Sequence, residues 1–201
     1  MKKITIIITI LFTIVSGNLF SQDGQEQTKT QIKPALLIID IQNVYLGMVP
    51  EREKEIGMYF INNLIGLFRS NGYPVIRIYH QDDASGAKPG TELFEYPASV
   101  LIKDEDVRVI KTYPNSFNKT DLDKILREQG SNTIFLCGFS AVGCVLSTWV
   151  GAQDKDYNAF MVKDAIMSHD PDYTNHVEEM FNAVGYDAVK LILESSGPAA
   201  K

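Results

Sequence analysis

Histidine, cysteine, tryptophan and basic clusters are all scarce in this chain of 201 residues, with 3 His, 2 Cys and 1 Trp. No run of Lys or Arg exceeds two residues and the formal net charge is −6, so no nucleic-acid partner is expected. The histidines are His80, His169 and His176. Only His80 closes a strand-like segment, and one imidazole is a poor basis for zinc, so no metal and no other cofactor is expected. His176 falls inside a helical pattern and reads as structural. The two cysteines, Cys137 and Cys144, stand seven positions apart. Bridging them would fold the intervening loop back on itself, so both are read as free thiols, Cys137 in the core and Cys144 reactive.

Long hydrophobic runs are missing too. The longest, Ile4 to Val15, mixes apolar residues with threonine and falls short of the roughly 20 residues of a spanning helix. Lys2-Lys3 before it and the small residues of Ser16–Ser21 after it give the layout of a secretory signal peptide over 1–21. An exported protein, periplasmic or extracellular and free of the membrane after cleavage, is expected. Without Lys2 and Lys3, 17 basic side chains face 25 acidic ones, a formal charge of −8. Residues 22–33 are polar and read as a flexible leader, leaving 34–201 as one domain.

The full chain has an ordinary globular composition, 45% hydrophobic and 22% charged, and the remainder is long enough for a sizeable core. Strand-like segments are Ala35–Asp40, Val75–His80, Val107–Lys111, Thr133–Cys137, Ala159–Val162 and Ala188–Leu193. Helical patterns fill the gaps at Glu53–Ser70, Thr120–Gln129, Cys144–Asp154 and Pro171–Ala183. Ile56, Phe60, Leu64 and Phe68 repeat at i, i+4 in the first of these, and Gly72 and Pro74 stop it. This alternation predicts an α/β fold, a three-layer, doubly wound, mostly parallel sheet of about six strands, Rossmann-like in arrangement. The stretch from Gln81 to Asp106 lacks periodicity and reads as a lid or binding loop carrying substrate determinants.

Chemistry-bearing residues fall at the ends of those strands. Asp40 ends the first and Lys111 the third, and Cys144 follows the fourth across the turn Gly138–Gly143. In open parallel sheets such ends converge on one edge, where ligands bind. A thiol at a helix start is expected to favour thiolate. Together the carboxylate, ammonium and thiol predict a cysteine nucleophile. Gln42, Tyr45, His80 and Phe117 lie nearby in the pattern and are candidate substrate contacts.

Four segments carry a resemblance. Asp40-Ile-Gln-Asn43 resembles an Asp-x-Gln-Asn motif. Lys111-Thr-Tyr-Pro-Asn-Ser-Phe117 with Thr120-Asp-Leu122 resembles a Lys…Phe-x-x-Thr-x-Leu block. Gly138-Phe-Ser-Ala-Val-Gly-Cys144-Val145 resembles a Gly-x-x-Thr-x-x-Cys-Val turn, and Asp164-Ala165 with His176 match two further positions. In this order they resemble the isochorismatase-like cysteine hydrolases, which include nicotinamidases and N-carbamoyl amide hydrolases. The resemblance implies Cys144 as nucleophile, Asp40 as general base and Lys111 as third member. It places a cis peptide at Ser140–Ala141, turning the N–H groups of Ala141 and Cys144 toward an oxyanion. The family's usual Thr is Ala141 here, and the Asp-x-His pair that nicotinamidases use for metal is absent. The implied function is cleavage of a C–N bond in a small amide, imide or carbamoyl compound, by a homodimer or homotetramer. Vinyl ether cleavage of the isochorismatase type and a secreted, non-catalytic binding protein are the alternatives.

Overall fold

A computed structural model describes residues 31–197. The expected signal peptide, 1–21, and residues 22–30 of the expected leader lie outside the described residues. Asn132 holds the start of the described chain, accepting from the Lys33 N–H at 2.9 Å and donating to the Gln31 carbonyl at 2.8 Å.

Five strands form one sheet: β1 (Pro34–Ile39), β2 (Val75–His80), β3 (Val107–Lys111), β4 (Thr133–Phe139) and β5 (Asn158–Met167). They are all parallel, in the order β3-β2-β1-β4-β5. The helices are α1 (Asn43–Leu46), α2 (Glu51–Ser70), α3 (Leu122–Glu128), α4 (Leu146–Gln153), α5 (Pro171–Met180) and α6 (Tyr186–Ser196). Among the described residues no helix is long and apolar enough to cross a membrane.

β1 explains the layering. Its six residues are all buried, because successive side chains point to opposite faces and both faces are covered. Leu36 and Ile38 pack with Ile61, Leu64 and Phe68 of α2 and Val189 and Leu193 of α6. Ala35, Leu37 and Ile39 pack on the other side with Leu122 and Leu126 of α3, Ala152 of α4 and Val177 of α5. Each such side chain, fully buried, contributes about 1.5–3 kcal/mol. The expected three-layer, doubly wound arrangement is thus present.

The sixth expected strand is not. Ala188–Leu193 lies within α6, whose inward positions Tyr186, Val189 and Leu193 follow a helical spacing while Leu191 is exposed. Its density of aliphatic residues suggested a strand, but the period decides for a helix. β5 instead runs five residues past Val162. Leu136 pairs with Met161 but Gly138 with Ile166, so the strand bulges between them. The Gln81–Asp106 segment is anchored rather than lid-like over most of its length. Ala87, Phe94 and Val100 are buried, and the Tyr96 hydroxyl donates to the carbonyls of Ile38 and Ile78 at 2.8 and 2.6 Å.

The order of the strands makes β1/β4 the switch point of the sheet, where chain direction around the sheet reverses and a crevice opens at the strand ends. Gly138 keeps that edge tight. Its φ is +121°, and a Cβ there would lie 2.0 Å from the Ile39 carbonyl oxygen. Only glycine tolerates both the dihedral and the contact. Gly138→Ala is therefore expected to cost at least about 3 kcal/mol, read by urea denaturation. A loss below about 1 kcal/mol would contradict the close approach.

Candidate active site

Asp40 follows β1 directly and takes a left-handed conformation, φ +54°, with its N–H donated to the Ile78 carbonyl at 2.9 Å. That conformation costs a non-glycine residue roughly 1 kcal/mol or more, and it persists because both neighbouring strands hold it. Lys111 closes β3 and its side chain is 0% exposed. Its ammonium donates to Asp40 Oδ2 at 2.7 Å and to His80 Nδ1 at 2.8 Å. An ammonium has no lone pair, so Nδ1 must accept and the imidazole proton sits on Nε2.

His80 closes β2 between these two. Its main chain is clamped by the buried Gln42 side chain, which accepts from the His80 N–H at 2.7 Å and donates to its carbonyl at 3.0 Å. Cys144 Sγ stands 3.6 Å from His80 Nδ1, and donor atoms of Asp40, His80 and Cys144 all lie within 4.8 Å of one another. The sulfur reaches them because β4 ends at Phe139 and the chain then makes a wide π-type turn, Ala141–Val145. Gly143 breaks the helical path within it (φ −119°, ψ −105°), and the Gly143 and Val145 N–H groups both return to the Ser140 carbonyl.

Burial sets the protonation states. It raises the Asp40 carboxyl above the usual range, against the lowering effect of Lys111. Burial, then the Lys111 charge, pushes the His80 imidazole down, so it is neutral at physiological pH. Burial and the Asp40 charge push the Cys144 thiol up to about 12. The thiolate expected from a helix start is therefore corrected to a resting thiol. Cys144 lies inside the turn, with α4 beginning only at Leu146, and has a carboxylate for a neighbour. Asp40 Oδ1 is buried without a hydrogen-bond partner among the described residues, while Oδ2 is held by Lys111.

These groups sit at the base of a cavity of about 180 Å³ walled by Tyr45, Asp82, Phe139, Ser140 and Gly143. Tyr45 stacks on Phe139 at 6.1 Å and meets His80 edge-on at 6.1 Å. A larger depression of about 460 Å³ beside α1 and α2 contains neither a thiol nor a buried ion pair.

Residues 34–189 match the family model described as the isochorismatase domain. This chain belongs to the isochorismatase family. The isochorismatase family protein YddQ of Bacillus subtilis (strain 168) is 33% identical over 136 residues, 65% of this chain and 76% of YddQ. The secreted isochorismatase effector Isc1 of Verticillium dahliae is 28% identical over 138 residues, 67% of this chain and 73% of its own length. Among solved structures, N-carbamoylsarcosine amidase from Thermoplasma acidophilum superposes with a TM-score of 0.65 at 26% identity, covering 77% of this chain and 95% of that one. The chain is an isochorismatase-family hydrolase.

Of the expected site residues in this family member, Asp40, Lys111, Cys144, His80 and Tyr45 are brought together. Two are not. Gln42 spends both amide atoms on the His80 backbone and is fully buried, so it positions the site instead of meeting substrate. Phe117 is buried in the core, stacked on Tyr157 at 5.8 Å. The cis peptide lies at Phe139–Ser140, one bond before the expected position. Ala141 is fully buried beneath the turn, so Ser140, Gly143 and Cys144 are the turn residues at the cavity, and Ala141 is withdrawn as an oxyanion donor. Asp82 was not singled out, although it stands two residues past the end of β2, where the same strand-end reasoning finds it. His176 is exposed on α5, its ring bonded to the Asp172 carbonyl.

Asp40, His80 and Cys144 form a donor set that would suit a soft divalent cation. The Lys111 ammonium stands within 2.8 Å of two of those three donors, so a cation there would meet a fixed positive charge. The residues do not fit a metal.

Removing Lys111 leaves a buried carboxylate unpaired. Lys111→Met is expected to lower stability by about 3–5 kcal/mol, with Asp40→Asn in the same chain recovering most of it. Losing the lysine raises the Asp40 pKa further above its unfolded value, so the carboxyl's contribution is retained in acid and lost as pH rises. The variant's deficit in urea denaturation should therefore be smaller at about pH 4 than at about pH 8.

Proposed function

We propose that this chain hydrolyses a C–N bond of a small amide, imide or carbamoyl compound through a thioester on Cys144. The observation that carries the reading is the buried Lys111–Asp40 pair, 2.7 Å apart, beneath a cavity that Cys144 lines. The structural relative named N-carbamoylsarcosine amidase supports an amide substrate. Residues 1–21 and the relative named as secreted, Isc1, support an exported location.

Sγ attacks the carbonyl carbon while Asp40 takes the thiol proton, and the Cys144 N–H, not among the turn amides spent on the Ser140 carbonyl, is left for the oxyanion. Collapse of the adduct breaks the C–N bond as Asp40 returns that proton to the departing nitrogen. Water then attacks the thioester, losing its proton to Asp40, and releases the acid and the free thiol. Burial raises the proton affinity of Asp40, making it a stronger base than an exposed carboxylate. Lys111 opposes that rise and anchors the carboxylate through Oδ2, leaving Oδ1 without a competing partner among the described residues. His80 is not the base, although it is 3.6 Å from the sulfur, because its Nδ1 lone pair is directed to Lys111.

Ammonia release from a panel of small amides tests this. Cys144→Ala should abolish turnover, and its survival would overturn the thioester. Asp40→Asn should cut turnover by about 10²–10⁴. At about pH 9, where labelling runs through the equilibrium thiolate and needs no general base, the same variant should speed iodoacetamide labelling of Cys144, because the Asp40 charge is one cause of the high thiol pKa and Lys111 then faces the sulfur alone. Slower labelling would contradict the charge arrangement.

A further inference from the structure

The charge of the cavity is set by very few groups. Asp40 and Lys111 cancel as a pair, and the lysine side chain is sealed from the cavity. His80 is held neutral by its bond from Lys111, and Cys144 is a thiol. Among the described residues, the walls contain no Arg or Lys. What remains is Asp82, on the wall, with Oδ1 accepting from the Ala84 N–H at 3.0 Å. That backbone bond and the neighbouring Ser85 lower its pKa, so it is ionised. Lys88, in the same loop as Asp82, pairs with Asp83 at 3.8 Å.

We propose that the cavity accepts neutral or cationic amides and rejects carboxylates, and that Asp82 sets this selection. The inference rests on Cys144 being the nucleophile and names the class of compound that reaches it. A sphere of the cavity's 180 Å³ is only about 7 Å across, so an anionic substrate would hold its charge within that distance of Asp82. No side chain there can offset it. Substrates bearing an N–H or ammonium opposite the scissile carbonyl gain a charge-assisted bond to the free Asp82 oxygen. A dicarboxylate such as isochorismate is excluded on the same ground, which separates this chain from the reaction its family is named for.

Three thiol reagents of similar size and different charge test this: iodoacetate, iodoacetamide and 2-bromoethylamine. Their rates at Cys144, located by peptide mass spectrometry with Cys144→Ala as blank, are divided by their rates with 2-mercaptoethanol. Iodoacetate should fall at least about tenfold behind iodoacetamide, with 2-bromoethylamine ahead of both and the spread narrowing in high salt. Asp82→Asn keeps the acceptor for the Ala84 N–H and removes the charge. It should close the iodoacetate–iodoacetamide gap by about tenfold. A gap no larger than that of mercaptoethanol, or one that Asp82→Asn leaves intact, overturns the proposal while the nucleophile stands. An iodoacetate preference would reveal an imidazolium at the sulfur and overturn it as well. Absence of labelling by all three reagents would refute the nucleophile itself, and with it this selection.

Discussion

A lysine and an aspartate, 71 positions apart in the chain and both without solvent, hold the site together. Neither charge could be buried alone, since taking one ion out of water costs several kcal/mol. The strand order dictates which residue can serve. β3 and β1 flank β2, so their ends stand about two strand spacings apart, roughly 9–10 Å. The flexible four-carbon stem of lysine crosses that gap above the end of β2, and a compact ammonium then sits against both His80 and Asp40. The ion pair thereby fixes the relative positions of three strand ends and the tautomer of the histidine between them.

The rest of the edge is built to hold that pair steady. Gln42 satisfies both main-chain groups of His80, and the Tyr96 hydroxyl bonds the carbonyls of Ile38 and Ile78 just below Asp40. Gly138 lets β4 press against Ile39, which brings the Cys144 turn over the carboxylate. These residues touch no substrate in the proposed mechanism. They set positions to within the tolerance that proton transfer between sulfur and oxygen demands.

Much of this was legible because hydrophobic period and strand ends are local signals. Five of the expected strand starts fall within one residue of the observed ones, and Asp40, Lys111 and Cys144 stand where a parallel sheet concentrates chemistry. Tertiary effects were not legible. Ala188–Leu193 is rich in aliphatics that suit either a strand or a helix, and packing against α2 and β5 selects the helix. Gln42 looked like a substrate contact because nothing in the sequence says that its amide complements the ends of a peptide group on β2. The protonation of Cys144 was misjudged for a similar reason. The helix-start argument weighs a weak dipole, whereas the folded site weighs desolvation and a neighbouring carboxylate, both larger.

That misjudgement changes the chemistry. A stored thiolate would need a standing counter-charge, and the one buried cation among the described residues, Lys111, is already committed to Asp40. A neutral thiol beside a carboxylate of raised proton affinity needs none, because charge appears on sulfur only as the proton leaves. The raised proton affinity of Asp40 narrows the proton-transfer gap to sulfur, whereas the raised thiol pKa widens it, so burial of the carboxylate is the half of the arrangement that favours transfer. Asp82 stands on the solvated wall of the same cavity, so its charge acts on a bound substrate at close range and is screened beyond it. Desolvation at the base thus tunes the nucleophile while a solvated carboxylate on the wall sorts substrates by charge, so reactivity and selectivity are set on different sides of one cavity.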